Sequence, residues 1–258
     1  MAQAHAFRQK IIDMPLAPLA AKAVEMSAEQ WTDNVKQTAI ASDADIVGVT
    51  RMRPDWVFEG YDVSQRWIIM LGVAYDYERI RAAPRAQAAA EVVRQYARGN
   101  QAAKGHASWV RARGHEAVPQ GGPVAGPVVL IPPAIECGFG ELGKHGSIIH
   151  RSLGASFRLA SVLTAIPLMT DEPEVFGGDE FCLHCRVCAD SCPPDAILDA
   201  KQRVRGLEKW YVDFDKCLPY FNKHMGCAIC IAVCPWSRLG IAENLVAKMA
   251  RRRAVDPA

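Results

Sequence analysis

Apolar and polar positions fall into distinct blocks along this chain, and each block predicts its own element. Ser27-Ala28-Glu29-Gln30 has the Ser-x-x-Gln spacing of a capping box, in which serine and glutamine each satisfy an amide of the other's turn. It predicts a helix running to about Ala41, with Trp31, Val35 and Ala39 on one face. The short apolar runs Asp45–Val49, Trp67–Ala74 and Phe157–Ala165 read as strands. Pro84 to Arg98 reads as a second helix, with proline near its start and Gly99 just past its end. Residues 101–113 read as a third, closed by Gly114. Pro119 to Gly146 is dense in glycine and proline, and is expected to be an ordered, irregular loop wrapped around something. Residues 1–25 are alanine-rich with weak periodicity and are expected to form an arm. From Trp236 onward a short, partly helical tail is expected.

Composition narrows the function classes. Half of the residues are apolar, enough for a real core, and the net charge of +2 implies no general surface for nucleic acid. The run Arg251-Arg252-Arg253 is expected to be a solvated, frayed end. No apolar stretch approaches the ~20 residues of a membrane helix. Met1–Leu19 shows neither a sustained apolar block nor a twin arginine, so a cytoplasmic location without a membrane partner is expected. Nine cysteines in a reducing compartment then need a purpose other than disulfides.

Their spacing supplies one. Cys182-x2-Cys185-x2-Cys188-x3-Cys192-Pro193 is followed by Cys217-x9-Cys227-x2-Cys230-x3-Cys234-Pro235. A cubane needs four thiolates converging from several directions; two-residue gaps in a tight loop supply three, and in two-cluster ferredoxins the fourth comes from the other motif. The expectation is two [4Fe–4S] clusters. The first takes Cys182, Cys185, Cys188 and Cys234, and the second takes Cys192, Cys217, Cys227 and Cys230. Structural zinc has no use for a third cysteine two residues after the second. Cys137 stands outside both motifs, as a small buried hydrophobe or as part of a cofactor wall.

The long segment before the clusters has room for a separate pocket. Ile135-Glu136-Cys137-Gly138-Phe139-Gly140-Glu141-Leu142-Gly143-Lys144-His145-Gly146 is its expected wall, because glycines let backbone approach a large planar ligand. An open slot beside Gly138 and Gly140 is expected, within a pocket lined by residues 119–158 and open beside the second cluster.

Several pieces, in order, resemble the cobalamin-dependent reductive dehalogenases and, more distantly, the epoxyqueuosine reductases. They are Ala83-Pro84, Tyr96-Ala97-Arg98-Gly99, Trp109 to Ala117, Gly138 to Lys144, Gly154 with Arg158, Thr164 to Leu168, and Phe181-Cys182 leading into both cysteine motifs. The resemblance implies an α/β (α+β) fold. A nitroreductase-like corrinoid-binding domain over 26–175 is followed by a ferredoxin-like two-cluster domain over 176–240, flanked by the arm 1–25 and the tail 241–258. It implies electrons passing from a donor (ferredoxin, flavodoxin or a reductase) through the clusters to cobalt, and reduction of a small, halogenated organic substrate. It also implies a tyrosine proton donor assisted by a basic side chain, for which Tyr96 with Lys144 or Arg158 are the candidates. Cys137, Gly138, Gly140, Glu141, Gly143, Lys144 and His145 are the candidate corrinoid contacts. Where the epoxyqueuosine reductases carry a catalytic aspartate this chain has Val124, which cannot move a proton. The alternative is a non-catalytic electron-transfer or assembly subunit in which the corrinoid pocket is closed or binds something else, with a partner chain or a second copy as candidate partners.

Overall fold

The computed structural model of the chain describes residues 1–122 and 126–255. Its first half consists of α1 (Ala2–Asp13), α2 (Ala28–Ala41), β1 (Ile46–Arg51), β2 (Trp67–Ala74), α3 (Tyr77–Ile80), α4 (Ala86–Arg111) and β3 (Ala117–Gln120). Then come α5 (Ile131–Glu136), β4 (Glu141–Leu142), β5 (Ile148–Ile149) and β6 (Phe157–Thr164). The cysteine-bearing half holds α6 (Gly178–His184), α7 (Val187–Asp190), β7 (Gln202–Val204), β8 (Leu207–Lys209), α8 (Phe214–Lys223), α9 (Ile229–Val233) and α10 (Ala242–Val255).

The capping box closes as its spacing requires: the Ser27 hydroxyl accepts from the Gln30 amide at 3.2 Å and the Ser27 amide donates to Gln30 Oε1 at 3.0 Å. The four-stranded sheet has the order β1-β2-β6-β3, and every pairing in it is antiparallel. The central strand β2 is apolar along its length because both of its faces are covered. Ile69 and Leu71 join Trp31 and Val35 of α2 and Ala103 of α4 on one side. Ile68 and Met70 join Trp56, Val128 and Phe139 on the other. Trp31 is almost fully buried, with its ring edge-on to Trp109 at 6.0 Å. Replacing it by alanine is expected to cost about 3–5 kcal/mol, read as a lower denaturant midpoint with the slope unchanged.

Three expectations need correction. The two helices expected on either side of Gly99 are one, α4. A β-carbon on Gly99 would lie 3.4 Å from Ala160 Cβ and 3.8 Å from Val73 Cγ2, so this glycine lets the helix lie close against the sheet. Packing outweighs the roughly 1 kcal/mol that glycine costs a helix interior. The segment Pro119–Gly146 is less irregular than expected, because it contains α5, with prolines in its first turn, and β4. The triple arginine is not a frayed end: it lies in α10, where Arg252 and Arg253 both pair with Glu180.

The second half docks through a core of its own. Phe176, Trp210, Trp236 and Met249 pack together with Cys182 and Cys234. A buried carboxylate ties this half to the first. Glu141 Oε2 accepts the amides of Phe176, Gly177 and Gly178, each at 2.8 Å, at the start of the helix that carries Cys182. Charge-assisted bonds of this kind stabilise more than neutral ones. Glu141→Gln keeps an oxygen but loses the charge, and is expected to cost about 1.5–3 kcal/mol. A denaturation midpoint equal to the parent's would contradict this.

Candidate redox and cofactor site

The eight motif cysteines separate into two sets of four. Burial pushes the Cys234 thiol up to about 12, and the thiols adding to that rise are Cys182, Cys188 and Cys185. Burial likewise pushes Cys182 up to about 12, with Cys188 and Cys185 adding. In the other set burial raises Cys217, and Cys192 and Cys227 add to it. Cys230 is raised by burial and then by Cys188, Cys227, Cys192 and Cys217, so it lies where the two sets meet. Two of the sulfurs face backbone amides, Lys144 N to Cys182 Sγ at 3.5 Å and Ala196 N to Cys192 Sγ at 3.4 Å. Thiols this buried keep their protons on their own. Sets of four neighbouring thiols, each with one sulfur facing a backbone amide, suit a cluster, which takes the thiolates and rewards hydrogen bonds to sulfur. The nine-residue gap after Cys217 also gains a cause: Cys217 sits on α8, and the extra residues complete that helix and its exit turn.

A cavity of about 1070 Å³ lies between the two halves. All four cysteines of the second set line it, and none of the first set does. From the first half come Glu141, Leu142, His145, Gly146 and Ser147. The opposite wall comes from β8, Trp210, Tyr211 and α8. That wall is apolar and uncovered: Leu207 is 67% exposed and Phe214 64%. Helix α8 has no buried residue.

A second cavity of about 360 Å³ adjoins it, walled by Phe58, Val128, Leu130, Phe157 and Leu159 among others. Tyr75, Tyr96 and Arg158 line both cavities. The sheet explains the juxtaposition. Val73 of β2 pairs with Arg158 of β6, and Tyr75, just past the end of β2, donates its amide to Ser156. Arg158 Nε donates to Tyr75 Oη at 2.9 Å, and the guanidinium stands 3.9 Å from the centre of the Tyr96 ring. Burial raises the Tyr75 hydroxyl above its ordinary value, opposed by Arg158. No carboxylate pairs with Arg158 among the described residues. Tyr96 lies mid-helix on α4 rather than near a helix end, and Asn100 one turn on holds the Gly121 and Gly122 carbonyls over it.

The glycine-rich segment divides. The expected slot beside Gly138 and Gly140 is not there: a β-carbon on Gly138 would lie 2.8 Å from the Glu172 carbonyl oxygen, and one on Gly140 2.0 Å from that of Ile149. Both glycines make room for the chain's own backbone. Cys137 packs in the core against Gly48, and Gly143 against the His145 ring. Lys144 is buried away from both cavities, so Arg158 and not Lys144 is the basic side chain beside Tyr96. Glu141 and His145 do reach the larger cavity. Val124 lies outside the described residues.

His145 provides a test of fit for a bound group. Its Nδ1 accepts from the Ser147 amide at 3.1 Å, and burial pushes its pKa down to about 4. The neutral ring therefore carries its proton on Nε2, a buried atom with no partner among the described residues, in a side chain that lines the cavity. An unsatisfied buried donor is costly. In this tautomer His145 offers a hydrogen bond and not a lone pair, so it suits the edge of a large polar-rimmed ligand and cannot serve as a metal ligand.

Comparison with known proteins agrees with this geometry. The 4Fe-4S dicluster domain family matches residues 181–242. The tetrachloroethene reductive dehalogenase of Desulfitobacterium hafniense is 30% identical over 220 residues, covering 80% of this chain and 39% of the relative. This chain is a relative of the reductive dehalogenases. The solved structure of a reductive dehalogenase that suggests a mechanism for B12-dependent dehalogenation overlays this dehalogenase relative with a TM-score of 0.84 at 23% identity. That overlay covers 98% of this chain and 41% of the other. The epoxyqueuosine reductase of Cyclobacterium marinum is more distant, 31% identical over 122 residues, which is 41% of this chain and 36% of that protein. The dehalogenase relative is thus a mixed α/β protein with a ferredoxin-like dicluster part, and its cofactors include two [4Fe–4S] clusters. It spans about two-fifths of the length of the Desulfitobacterium enzyme. Among the described residues no helix is long and apolar enough to cross a membrane.

Proposed function

We propose that the chain is an iron–sulfur oxidoreductase of the reductive dehalogenase kind, in which the larger cavity holds a corrinoid and the smaller one a small halogenated organic substrate. The observation that carries this reading is that Tyr75, Tyr96 and Arg158 line both cavities, while all four cysteines of the second set line the larger one. The ligand assignment is the crossed one: Cys182, Cys185, Cys188 and Cys234 hold the first cluster, and Cys192, Cys217, Cys227 and Cys230 hold the second.

A bound corrinoid supplies a low-valent cobalt centre able to reduce an organic halide. The chain's own residues do the rest. Cys192, Cys217, Cys227 and Cys230 would hold a cluster at the border of the cavity, and Cys182, Cys185, Cys188 and Cys234 would hold a second one behind it, with Cys188 and Cys230 where the two sets meet, so that bound clusters would supply a route for electrons into the cavity. His145 Nε2 donates to the rim of the bound group, and the apolar residues of α8 and β8 cover its face and exclude water. Val128, Leu130 and Phe157 hold the substrate by its apolar body. Tyr96 gives its hydroxyl proton to the substrate carbon that loses halide. Arg158, cationic beside both rings, stabilises the tyrosinate left behind and orients it through Tyr75. Similarity to the tetrachloroethene reductive dehalogenases supports a small halogenated substrate. A non-catalytic electron carrier is not favoured, since similarity to the dehalogenases and an open cavity beside the second cysteine set both support the enzyme reading.

The test is halide release. Protein reconstituted anaerobically with iron, sulfide and hydroxocobalamin, and given a low-potential reductant, should release halide from small halogenated alkenes or phenols. The same protein without the corrinoid should not. Equal release with and without it, above the level of free cobalamin, would end this proposal.

A further inference from the structure

Lys144 is a lysine that the catalytic reading leaves without work. It is 1% exposed, lines neither cavity, and forms no salt bridge among the described residues. A buried ammonium without a counter-charge is strongly destabilising, so a native fold that keeps one places an anion beside it. The carboxylate bonded to the neighbouring Trp210 indole is already committed: Asp179 takes Lys201 Nζ at 2.6 Å on one oxygen and Trp210 Nε1 at 2.6 Å on the other. Lys144 Nζ lies 5.0 Å from the centre of the Trp210 ring, on a residue whose backbone amide donates to Cys182 Sγ. Trp210 in turn packs with Cys182 and Cys234 of the first set.

We propose that Lys144 is the built-in counter-charge of the first [4Fe–4S] cluster and sets that cluster's reduction potential above the value its burial alone would give. A cubane held by four thiolates is a net anion and becomes more negative when it takes up one electron; net charge, hydrogen bonds to sulfur and exposure fix its potential. A cation nearby stabilises the reduced state more than the oxidised one. Because Lys144 is enclosed, salt screens this effect far less than it would at the surface. Its amide, hydrogen-bonded to Cys182, acts in the same direction.

The inference rests on the first cysteine set holding a cluster, and the experiment separates the two claims by counting iron as well as measuring potential. Protein with both clusters assembled is titrated redox-potentiometrically and followed by paramagnetic resonance, as parent, Lys144→Gln and Lys144→Arg. The glutamine variant should show one cluster harder to reduce by at least tenfold in its oxidised-to-reduced ratio, about 59 mV for a one-electron couple. The other should shift much less, and the arginine variant should stay near the parent. The cluster that moves should be the one whose signal Cys185→Ala abolishes. Loss of that cluster in Lys144→Gln with retention in Lys144→Arg supports the same role, expressed as occupancy. Full iron content with unmoved potentials, a larger shift in the second cluster, or loss of the first cluster in both variants would overturn it.

Discussion

Tyr96→Phe is expected to lower turnover by roughly 10²–10⁴-fold while leaving both clusters and corrinoid binding intact. The substitution removes one oxygen from a ring held by its helix, by the loop above it and by the Arg158 guanidinium, so the fold has little reason to respond. Only the proton is lost. Arg158 then keeps Tyr75 as its hydrogen-bond partner, which leaves the arginine satisfied but places no acidic hydroxyl at the carbon. Tyr75 is a poor substitute, because burial has already raised its hydroxyl and its oxygen is taken up by Arg158. The check is kcat under saturating reductant, with iron content and the corrinoid spectrum recorded on the same sample. A variant with parental kcat would remove Tyr96 from the chemistry.

The second large effect tests the crossing of the two motifs. Cys234→Ala should perturb the same cluster as Cys185→Ala, although Cys234 lies in the second motif. The thiols that act on Cys234 are Cys182, Cys188 and Cys185, and all four belong to the set that does not line the cavity. Losing one thiolate of four from an enclosed site should drop iron from about eight to about four atoms per chain. The surviving resonance should match that of Cys185→Ala. Cys230→Ala should instead spare that first cluster and abolish the signal that the other two variants retain. If Cys234→Ala and Cys230→Ala behave alike, the ligand sets are not crossed.

These expectations show which parts of the molecule are written locally. Ser27 and Gln30 state a helix start within four residues, and Trp67 to Ala74 states a doubly covered strand within eight; both hold to the residue. The cysteine spacings state cluster chemistry in the same way. Gly99 misleads because a helix stop and a close helix–sheet contact ask for the same residue, and only Ala160, distant in sequence, decides between them. Tyr75 went unnoticed because its role depends on β2 pairing with β6, a register that no local pattern encodes. The wall made by β8 and α8 was missed for a related reason. Arg205-Gly206 is a turn signal, with both residues at positive φ, but the strands beside it are three residues each, too short to give a period. Gly138 and Gly140 were rightly singled out as close approaches and wrongly given a ligand as the neighbour. A glycine records that something is near, and backbone serves as well as a cofactor.

The central claim is that one chain holds two clusters and a corrinoid in contact with the second of them. Its most direct test is metal stoichiometry after anaerobic reconstitution with iron, sulfide and hydroxocobalamin, followed by removal of unbound cofactor. The account predicts about eight irons and about one cobalt per chain, with the cobalt bound tightly enough to survive gel filtration and lost on filling the cavity by Ser147→Trp. About eight irons with no retained cobalt would contradict it.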